Sequence, residues 1–257
     1  LIRIIMPIYI PNLEGYFKDS FKILKTSIES IVLDKTPQIA ITVILNGCCD
    51  VVVNFCLGLW KSNLIDDVII SKQNIGKVNA IMKGVSGSNS EIFLITDADV
   101  FFKQDFILPL LKVFQNPNVG FVGLQPVYGK VNYFTSWTRL RWKFKIKKEP
   151  ARSSDNLEHH QFLASIGKTA FSTVKYVQAL NIMGVDCVLG TGHFCFAVHR
   201  SFLDQLPNLY CSNYISKGSE RLYLDAPSYY TGLLRLSLRK SKAIHLGNVF
   251  EKWMYDM

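Results

Sequence analysis

Short apolar runs alternate with helix-patterned segments over the first hundred residues of the chain. The apolar runs, rich in isoleucine, leucine and valine, cover residues 1–6, 39–45, 68–70 and 92–96. Apolar residues recur at helical spacing between these runs, over residues 16–32, 51–64 and 77–84. A strand, a helix and a second strand in succession form the right-handed βαβ unit of a parallel sheet. The alternation therefore predicts an α/β fold with a Rossmann-like, mostly parallel sheet flanked by helices.

The chain beyond this alternation is less regular. Residues 106–114 are predicted to form a helix and residues 119–126 a strand, and residues 194–198 form an apolar stretch after a glycine-rich turn. The first strand is expected to stop at Pro7, because proline does not continue a central ladder. These patterns divide the 257 residues into a regular α/β first half and a less regular second half of one domain.

The net charge indicates which ligands the chain favours, and the cysteine content indicates its cellular compartment. Lys plus Arg number 29 and Asp plus Glu number 20, so the formal charge of +9 favours anionic partners. The 49% of hydrophobic residues is typical of a globular protein and excludes a disordered chain. Six scattered cysteines without a CxxC pair predict reduced thiols in a cytoplasmic protein. No apolar run approaches the roughly 20 residues of a membrane-spanning helix, so we expect at most attachment to a membrane surface.

A basic segment with interleaved apolar residues covers 139–148, RLRWKFKIKK. This pattern has two interpretations, which are a solvated edge strand and a surface for phosphate or anionic lipid headgroups. The second interpretation predicts peripheral contact with the inner face of the cell membrane. The aromatic residues do not follow a known RNA-binding signature, so nucleic acid is not an expected partner.

Two carboxylates follow the apolar run at 92–96, in the triplet Asp97-Ala98-Asp99. Doubly wound sheets bind ligands outside the carboxyl ends of their strands, which is where this triplet is predicted to lie. Two carboxylates this close repel each other unless a cation joins them. Oxygen ligands suit Mg²⁺ or Mn²⁺, which also bridge diphosphate oxygens. Ordinary turns are rich in aspartate too, so the triplet alone does not decide between a metal site and a turn.

Four segments resemble the inverting, nucleotide-sugar-dependent glycosyltransferases of family 2, which have the GT-A fold. These segments are 6–9 (MPIY), 45–50 (LNGCCD), 73–80 (QNIGKVNA) and 95–99 (ITDAD). The resemblance implies that residues 1–125 form a nucleotide-sugar-binding half and that residues 126–257 bind the acceptor and supply the catalytic base. Relatives often carry an acidic pair at 45–46, where this chain has leucine and asparagine. The identity of the base is therefore left open.

The resemblance also implies a set of donor-binding residues. Pro7 and Tyr9 would frame a pocket for uracil or guanine, and Asn46 would lie near the base. Lys77 would lie near the ribose or the diphosphate, and Asn74 belongs to the same binding motif. The donor that this set implies is a nucleoside-diphosphate sugar.

A metal centre is the third implication of the resemblance. Asp97 would contact the ribose region, and Asp99 would hold a Mn²⁺ or Mg²⁺ ion. His245, in the apolar segment 243–247, is similar to a late histidine of the family that completes the metal shell. The candidate metal ligands are therefore Asp97, Asp99 and His245, and diphosphate oxygens and water would take the remaining positions.

An inverting transfer needs a carboxylate that accepts the proton of the attacking hydroxyl group. Members of the family supply it near the start of a helix upstream of the late histidine. Asp225 precedes Ala226-Pro227, which is the pattern of a helix N-cap, and Glu220 lies at a comparable distance. We favour Asp225, because Glu220 is followed by Arg221 where relatives usually have a second acid.

These observations predict an enzyme that moves a sugar from a nucleoside-diphosphate sugar to a hydroxyl group of a glycan or lipid-linked acceptor. The resemblance places such a reaction in the synthesis of bacterial surface polysaccharide. Two alternatives are a sugar-phosphate nucleotidyltransferase and a non-catalytic, basic anion-binding module. The first usually has a glycine-rich loop after its first strand, whereas residues 7–11 here are PIYIP. The second gives no reason for an acid triplet after a buried strand.

Overall fold

The structure, a computed structural model, describes residues 1–124, 127–128, 185–186, 194–204, 233–238 and 243–246. Its strands are β1 (Ile2–Ile8), β2 (Ile39–Asn46), β3 (Asp67–Ser71), β4 (Ile92–Thr96), β5 (Val100–Phe102), β6 (Val119–Leu124), β7 (Val127–Tyr128), β8 (Val185–Asp186), β9 (Cys195–His199), β10 (Leu234–Leu238) and β11 (Ala243–His245). Its helices are α1 (Ser20–Val32), α2 (Asp50–Lys61), α3 (Lys77–Ser86), α4 (Ile107–Phe114) and α5 (Arg200–Leu203), together with a 3₁₀ turn at Gly15–Phe17.

A large mixed sheet organises these elements, with its strands in the order β3-β2-β1-β4-β9-β6-β10-β8. Neighbours among β3, β2, β1 and β4 are parallel. Strand β9 runs antiparallel to both β4 and β6, and β10 pairs parallel with β6 and antiparallel with β8. A smaller sheet has the order β5-β11-β7. The prediction of an α/β fold with a mostly parallel sheet flanked by helices is confirmed.

Helices α1 and α3 cover opposite faces of the large sheet. Strand β1 alternates between these faces, because successive side chains of a strand point to opposite sides. Ile4 packs in one core with Ile28 of α1, whereas Ile5 packs in the other with Ile81 of α3. Strand β2 is buried along its whole length, as expected of a strand covered on both faces. The inner strands are therefore mostly apolar, and Thr42 is the buried polar residue in the middle of β2.

Strand β1 continues through Pro7, which was expected to stop it. The ladder between β1 and β4 ends at the pair Ile5 and Ile95. Ile2 donates its N–H to the carbonyl of Gln38 on the β2 side. By alternation, the Pro7 nitrogen faces the β4 side, beyond the last pair of that ladder. The missing N–H therefore removes no hydrogen bond from the sheet, and the expectation was wrong for this reason.

Two helices differ in length from the ranges that periodicity predicts. The helix expected over 16–32 begins at Ser20, after the separate 3₁₀ turn. The helix expected over 51–64 ends at Lys61, and Asn63 just beyond it has a left-handed φ of 57°. Before α1, the apolar spacing continues because Phe17 of the 3₁₀ turn also packs on the core. After α2, the last apolar residue of the predicted range, Leu64, is exposed and lies outside the helix.

Among the described residues, Cys48, Cys49, Cys56 and Cys195 are free thiols. Burial raises the pKa of the Cys56 thiol to about 12, so this thiol stays protonated at neutral pH. Among the helices of the described ranges, none has both the length and the apolar character needed to cross a membrane.

Candidate functional site

The carboxyl ends of β1, β2 and β4 meet at one edge of the large sheet, because these strands are parallel neighbours. Tyr9 follows β1, Gly47 follows β2 and Asp97 follows β4. We name this the carboxyl edge. Open α/β sheets bind their ligands outside such an edge, so polar residues that converge here are the candidates for function.

The smaller sheet brings His245 to the acid triplet. Strand β11 runs antiparallel to β5, with His245 opposite Val100. The N–H of Leu246 donates to the backbone carbonyl of Asp99 at 2.8 Å, which extends this pairing by one residue. As a result, Nε2 of His245 lies 3.3 Å from Oδ2 of Asp99, although the two residues are far apart in the chain.

Asp97, Asp99 and His245 form a group that can hold a metal ion. One ligand atom from each lies within 4.8 Å of the others, and all three residues are half-buried. Oδ1 of Asp99 is buried and has no hydrogen-bond partner among the residues that the structure describes. An unpaired, buried carboxylate oxygen is costly, and a cation bound beside it would remove that cost. The donor set and the unpaired oxygen therefore fit a divalent cation.

The carboxylates of this group contribute to raising two pKa values. Burial by itself lowers the pKa of His245, but the hydrogen bond to Asp99 and the charges of Asp99 and Asp97 raise it above its ordinary value. Burial, followed by the charge of Asp99, raises the pKa of the Tyr16 hydroxyl group. Tyr16 therefore lies within electrostatic reach of Asp99. The helical periodicity of residues 16–32 includes this tyrosine, so the sequence pattern assigns it to a helix. Its position in the loop after the first strand is the signal that could have identified it as a residue of the site.

Lys77 is the first residue of α3 and follows Gly76, which has a left-handed φ of 84°. Its Nζ lies 2.5 Å from Oδ1 of Asp97. The two acids of the triplet thus have different partners, because Asp97 faces a lysine and Asp99 faces His245. This arrangement places a fixed positive charge beside the candidate metal ligands.

Asn46 and Asn74 lie at the carboxyl edge and are hydrogen-bonded to each other. Asn46 is only 3% exposed, and its Nδ2 donates to Oδ1 of Asn74 at 2.9 Å. The remaining predicted donor-binding residues lie on or just after β1. Pro7 is half-buried within the strand, and the exposed Tyr9 ring contacts Phe17 edge to face at 5.8 Å between ring centroids.

Gly47 forms the turn after β2 with a left-handed φ of 79°, and a Cβ here would lie 2.9 Å from the backbone nitrogen of Asn74. We expect Gly47→Ala to lower the free energy of unfolding by about 1–3 kcal/mol, because of backbone strain and this clash. Gly58→Ala is the matched control, since this exposed residue of α2 has open space at its Cβ position. The control should raise stability by about 0.5–1 kcal/mol. Denaturant unfolding measures both, and equal effects would contradict the turn geometry.

The family model of Glycosyl transferase family 2 matches residues 4–171, which is more than half of the chain. The chain belongs to this family. Family 2 membership confirms the resemblance of the four segments near the carboxyl edge. It also favours a transferase over the nucleotidyltransferase and the non-catalytic binding module. The comparison with curated proteins gives no match.

A crystal structure of S. aureus TarS shares the fold of this family 2 chain. TarS 1–349 matches with a TM-score of 0.56 at 11% identity, over 95% of this chain and 59% of that chain. TarS 1–349 in complex with UDP-GlcNAc matches with a TM-score of 0.42 at 12% identity, over 51% of this chain and 36% of that chain. The first match confirms the predicted GT-A fold class. The chain thus spans 59% of the length of that TarS structure.

Several predictions for the second half of this family 2 member fall on residues that the structure does not describe. Asp225 and Glu220, the candidates for the catalytic base, lie outside the described ranges, as does the basic segment 139–148. The division into halves 1–125 and 126–257 likewise stays a prediction.

Proposed function

We propose that this family 2 protein is a metal-dependent, inverting glycosyltransferase that uses a nucleoside-diphosphate sugar. The observation that carries the proposal is the convergence of Asp97, Asp99, His245 and Lys77 at the carboxyl edge of a parallel sheet. Two acids, an imidazole and a lysine ammonium form a site for a cation and a diphosphate together. The net charge of +9 favours the same anionic donor.

The donor would bind with its base near β1 and its diphosphate near the start of α3. Pro7 and Tyr9 are proposed to frame the base, and Asp97 is proposed to contact the ribose region. Asp99, His245 and Asp97 would hold a Mn²⁺ or Mg²⁺ ion, which when bound supplies positive charge to the diphosphate. Lys77 would place its ammonium group against the same phosphate oxygens.

In the reaction, the acceptor oxygen forms a bond to the anomeric carbon as the bond from that carbon to the diphosphate oxygen breaks. Attack from the opposite face inverts the configuration. Asp225 is proposed to accept the proton of the acceptor hydroxyl, with Glu220 as the competing candidate. The electron pair leaves with the nucleoside diphosphate, so stabilising that negative charge is the main electrostatic task of the site.

The acceptor is proposed to be a glycan or a lipid-linked glycan, bound by residues 126–257. The basic segment 139–148 would hold a cytoplasmic enzyme at the inner face of the cell membrane. A role in the synthesis of bacterial surface polysaccharide follows from the family resemblance.

A thermal-shift experiment tests the proposed donor class. Uridine and guanosine diphosphates and their sugar conjugates, including UDP-GlcNAc, would be compared with and without Mn²⁺ or Mg²⁺. A ligand that binds the folded state raises the Tm according to its affinity. We expect one base to be preferred and the shift to depend on the metal. If no nucleoside diphosphate or nucleotide sugar stabilises the protein, the proposal is wrong.

Lys77→Met removes the ammonium group and keeps a flexible side chain of similar length. We expect kcat to fall by about 10²-fold, because one preformed contact to the leaving diphosphate is lost. Lys83→Met is the matched control, since Lys83 is an exposed lysine in the last turn of the same helix. Steady-state rates of donor turnover check the prediction. A similar loss in both variants would show that Lys77 has no specific role.

A further inference from the structure

We propose that Asn46 is a positioning residue, whose buried amide fixes the loop before α3 and so places Lys77 against the departing diphosphate. The inference rests on the proposed function for its consequence in catalysis. It assigns the Asn46 side chain to Lys77 instead of to the nucleobase, which was the role that the family resemblance implied.

The amide of Asn46 is engaged at both ends with the segment 74–76. Oδ1 of Asn46 accepts the N–H of Ile75 at 2.8 Å. Nδ2 of Asn46 donates to Oδ1 of Asn74 at 2.9 Å and to the carbonyl of Gly76 at 3.4 Å. An amide nitrogen has two hydrogens, so both donors of Asn46 are used within the protein. A nucleobase that needs a donor from this side chain would have to break these bonds.

Other hydrogen bonds make the clamped segment rigid. Oδ1 of Asn74 also accepts the N–H of Gly76 at 2.9 Å. The N–H of Gly47 donates to the carbonyl of Ser71 at 2.9 Å, which ties the turn after β2 to the end of β3. Hydrogen bonds therefore join the loops after two neighbouring strands, with Asn46 as the buried residue between them.

The hydrogen bonds from Asn46 to residues 74–76 lie directly before Lys77 in the chain. The Gly76 carbonyl that accepts from Asn46 also accepts the N–H of Ala80 at 3.1 Å, so it is part of the first turn of α3. Lys77 follows it, and its ammonium pairs with Asp97. Fixing the Gly76 carbonyl fixes the direction in which the Lys77 side chain leaves the helix. A misplacement of about 1 Å in a group that stabilises the transition state is enough for a 10²-fold loss of rate.

The experiment compares Asn46→Ala with Thr42→Val. Thr42 is a buried polar residue in the middle of β2, where its hydroxyl accepts from Arg3 at 2.7 Å and donates to Asp67. Thr42→Val therefore removes buried hydrogen bonds from the same strand without touching the Lys77 loop. Thr42→Val should lower the Tm by less than Asn46→Ala does, because Arg3 and Asp67 still pair with each other. It therefore controls for the loss of a polar contact in β2 that leaves the position of Lys77 unchanged.

Two readouts report on Lys77 itself. The first is the rate at which an amine-acylating reagent modifies Lys77, measured by mass spectrometry, with Asp97→Asn as the positive control for a released amine. The second is the affinity for inorganic pyrophosphate with Mg²⁺, measured by calorimetry, because pyrophosphate has no base to contact Asn46. We expect Asn46→Ala to accelerate acylation about threefold or more and to weaken pyrophosphate binding about tenfold. Thr42→Val should leave both within about twofold.

Kinetics supply the third readout. Asn46→Ala should lower kcat more than it raises the KM for the donor, and in a Lys77→Met background it should have almost no further effect. If Asn46→Ala does not fold, Asn74→Ala is the second variant, because Asn74 is less buried and its Oδ1 accepts from both Asn46 and Gly76. For Asn74→Ala we expect smaller changes in the same direction in the acylation rate of Lys77, the affinity for pyrophosphate and kcat.

The outcomes separate this inference from the proposed function. Unchanged Lys77 acylation in Asn46→Ala would overturn the inference whether or not the protein transfers sugar. Unchanged pyrophosphate affinity with weakened nucleoside binding would assign Asn46 to the base instead and would also overturn it. Faster acylation in a protein that binds no nucleotide would support the clamp and show that the proposed function is wrong.

Discussion

Asp99→Asn is expected to lower the rate of sugar transfer by about 10³-fold or more and to abolish its dependence on Mn²⁺ or Mg²⁺. The asparagine keeps the size of the side chain but lacks the negative charge of the carboxylate, which is the stronger metal ligand. Oδ1 of Asp99 is buried without a partner in the described part of the chain, so it is the atom most available to a cation. Initial rates measured across a metal titration check the prediction.

The fold should survive this substitution, because a neutral amide would no longer repel Asp97 and the backbone pairing of Asp99 with Leu246 does not involve the side chain. Asp19→Asn is the matched control, since Asp19 is an exposed aspartate before α1 whose side chain makes no capping hydrogen bond. The control should retain full activity. If Asp99→Asn transfers sugar at the original rate, the metal assignment is wrong.

Asp225→Asn is expected to reduce transfer by about 10³-fold, within the range that general base catalysis contributes, while donor affinity changes by less than about twofold. Asparagine is as good a helix N-cap as aspartate, so the change removes the proton acceptor without removing the helix start that the sequence predicts. Transfer rates and donor binding, measured separately, distinguish a lost base from lost binding.

Glu220→Gln is the comparison for this prediction. The side chain keeps its size and loses its basicity, and we expect less than about a tenfold effect on transfer. The reverse pattern, with Glu220→Gln inactive and Asp225→Asn active, would assign the base to Glu220. Comparable large losses in both variants would show that neither residue acts alone.

The first half of the fold could be predicted because its signals are local. Each inner strand is a short apolar run, and each helix shows its own periodicity, so neighbouring residues are enough to identify both. Pro7 was misjudged because its effect depends on where the ladder between β1 and β4 ends, which is a property of two strands. The insertion of β9 between β4 and β6 is a pairing between distant segments, and no local pattern predicts it.

For the same reason, the sequence predicted some features of the candidate site and not others. The triplet at 97–99 follows a recognisable strand, so its place at the carboxyl edge could be inferred from the order of residues. His245 was identified by family resemblance, but its distance to Asp99 depends on how β11 pairs with β5. Tyr16 was missed, because its position near Asp99 results from the 3₁₀ turn before α1.

The sequence by itself determined that this protein alternates strands and helices and that two acids follow an inner strand, since apolar periodicity and strand ends depend on adjacent residues. Only the tertiary structure decided which side chains those acids meet and what the amide of Asn46 holds. Lys77 reaches Asp97, and His245 reaches Asp99, through strand order and register. These arise from contacts between residues far apart in the chain, so the partners of a buried charge are known only after the strands are paired.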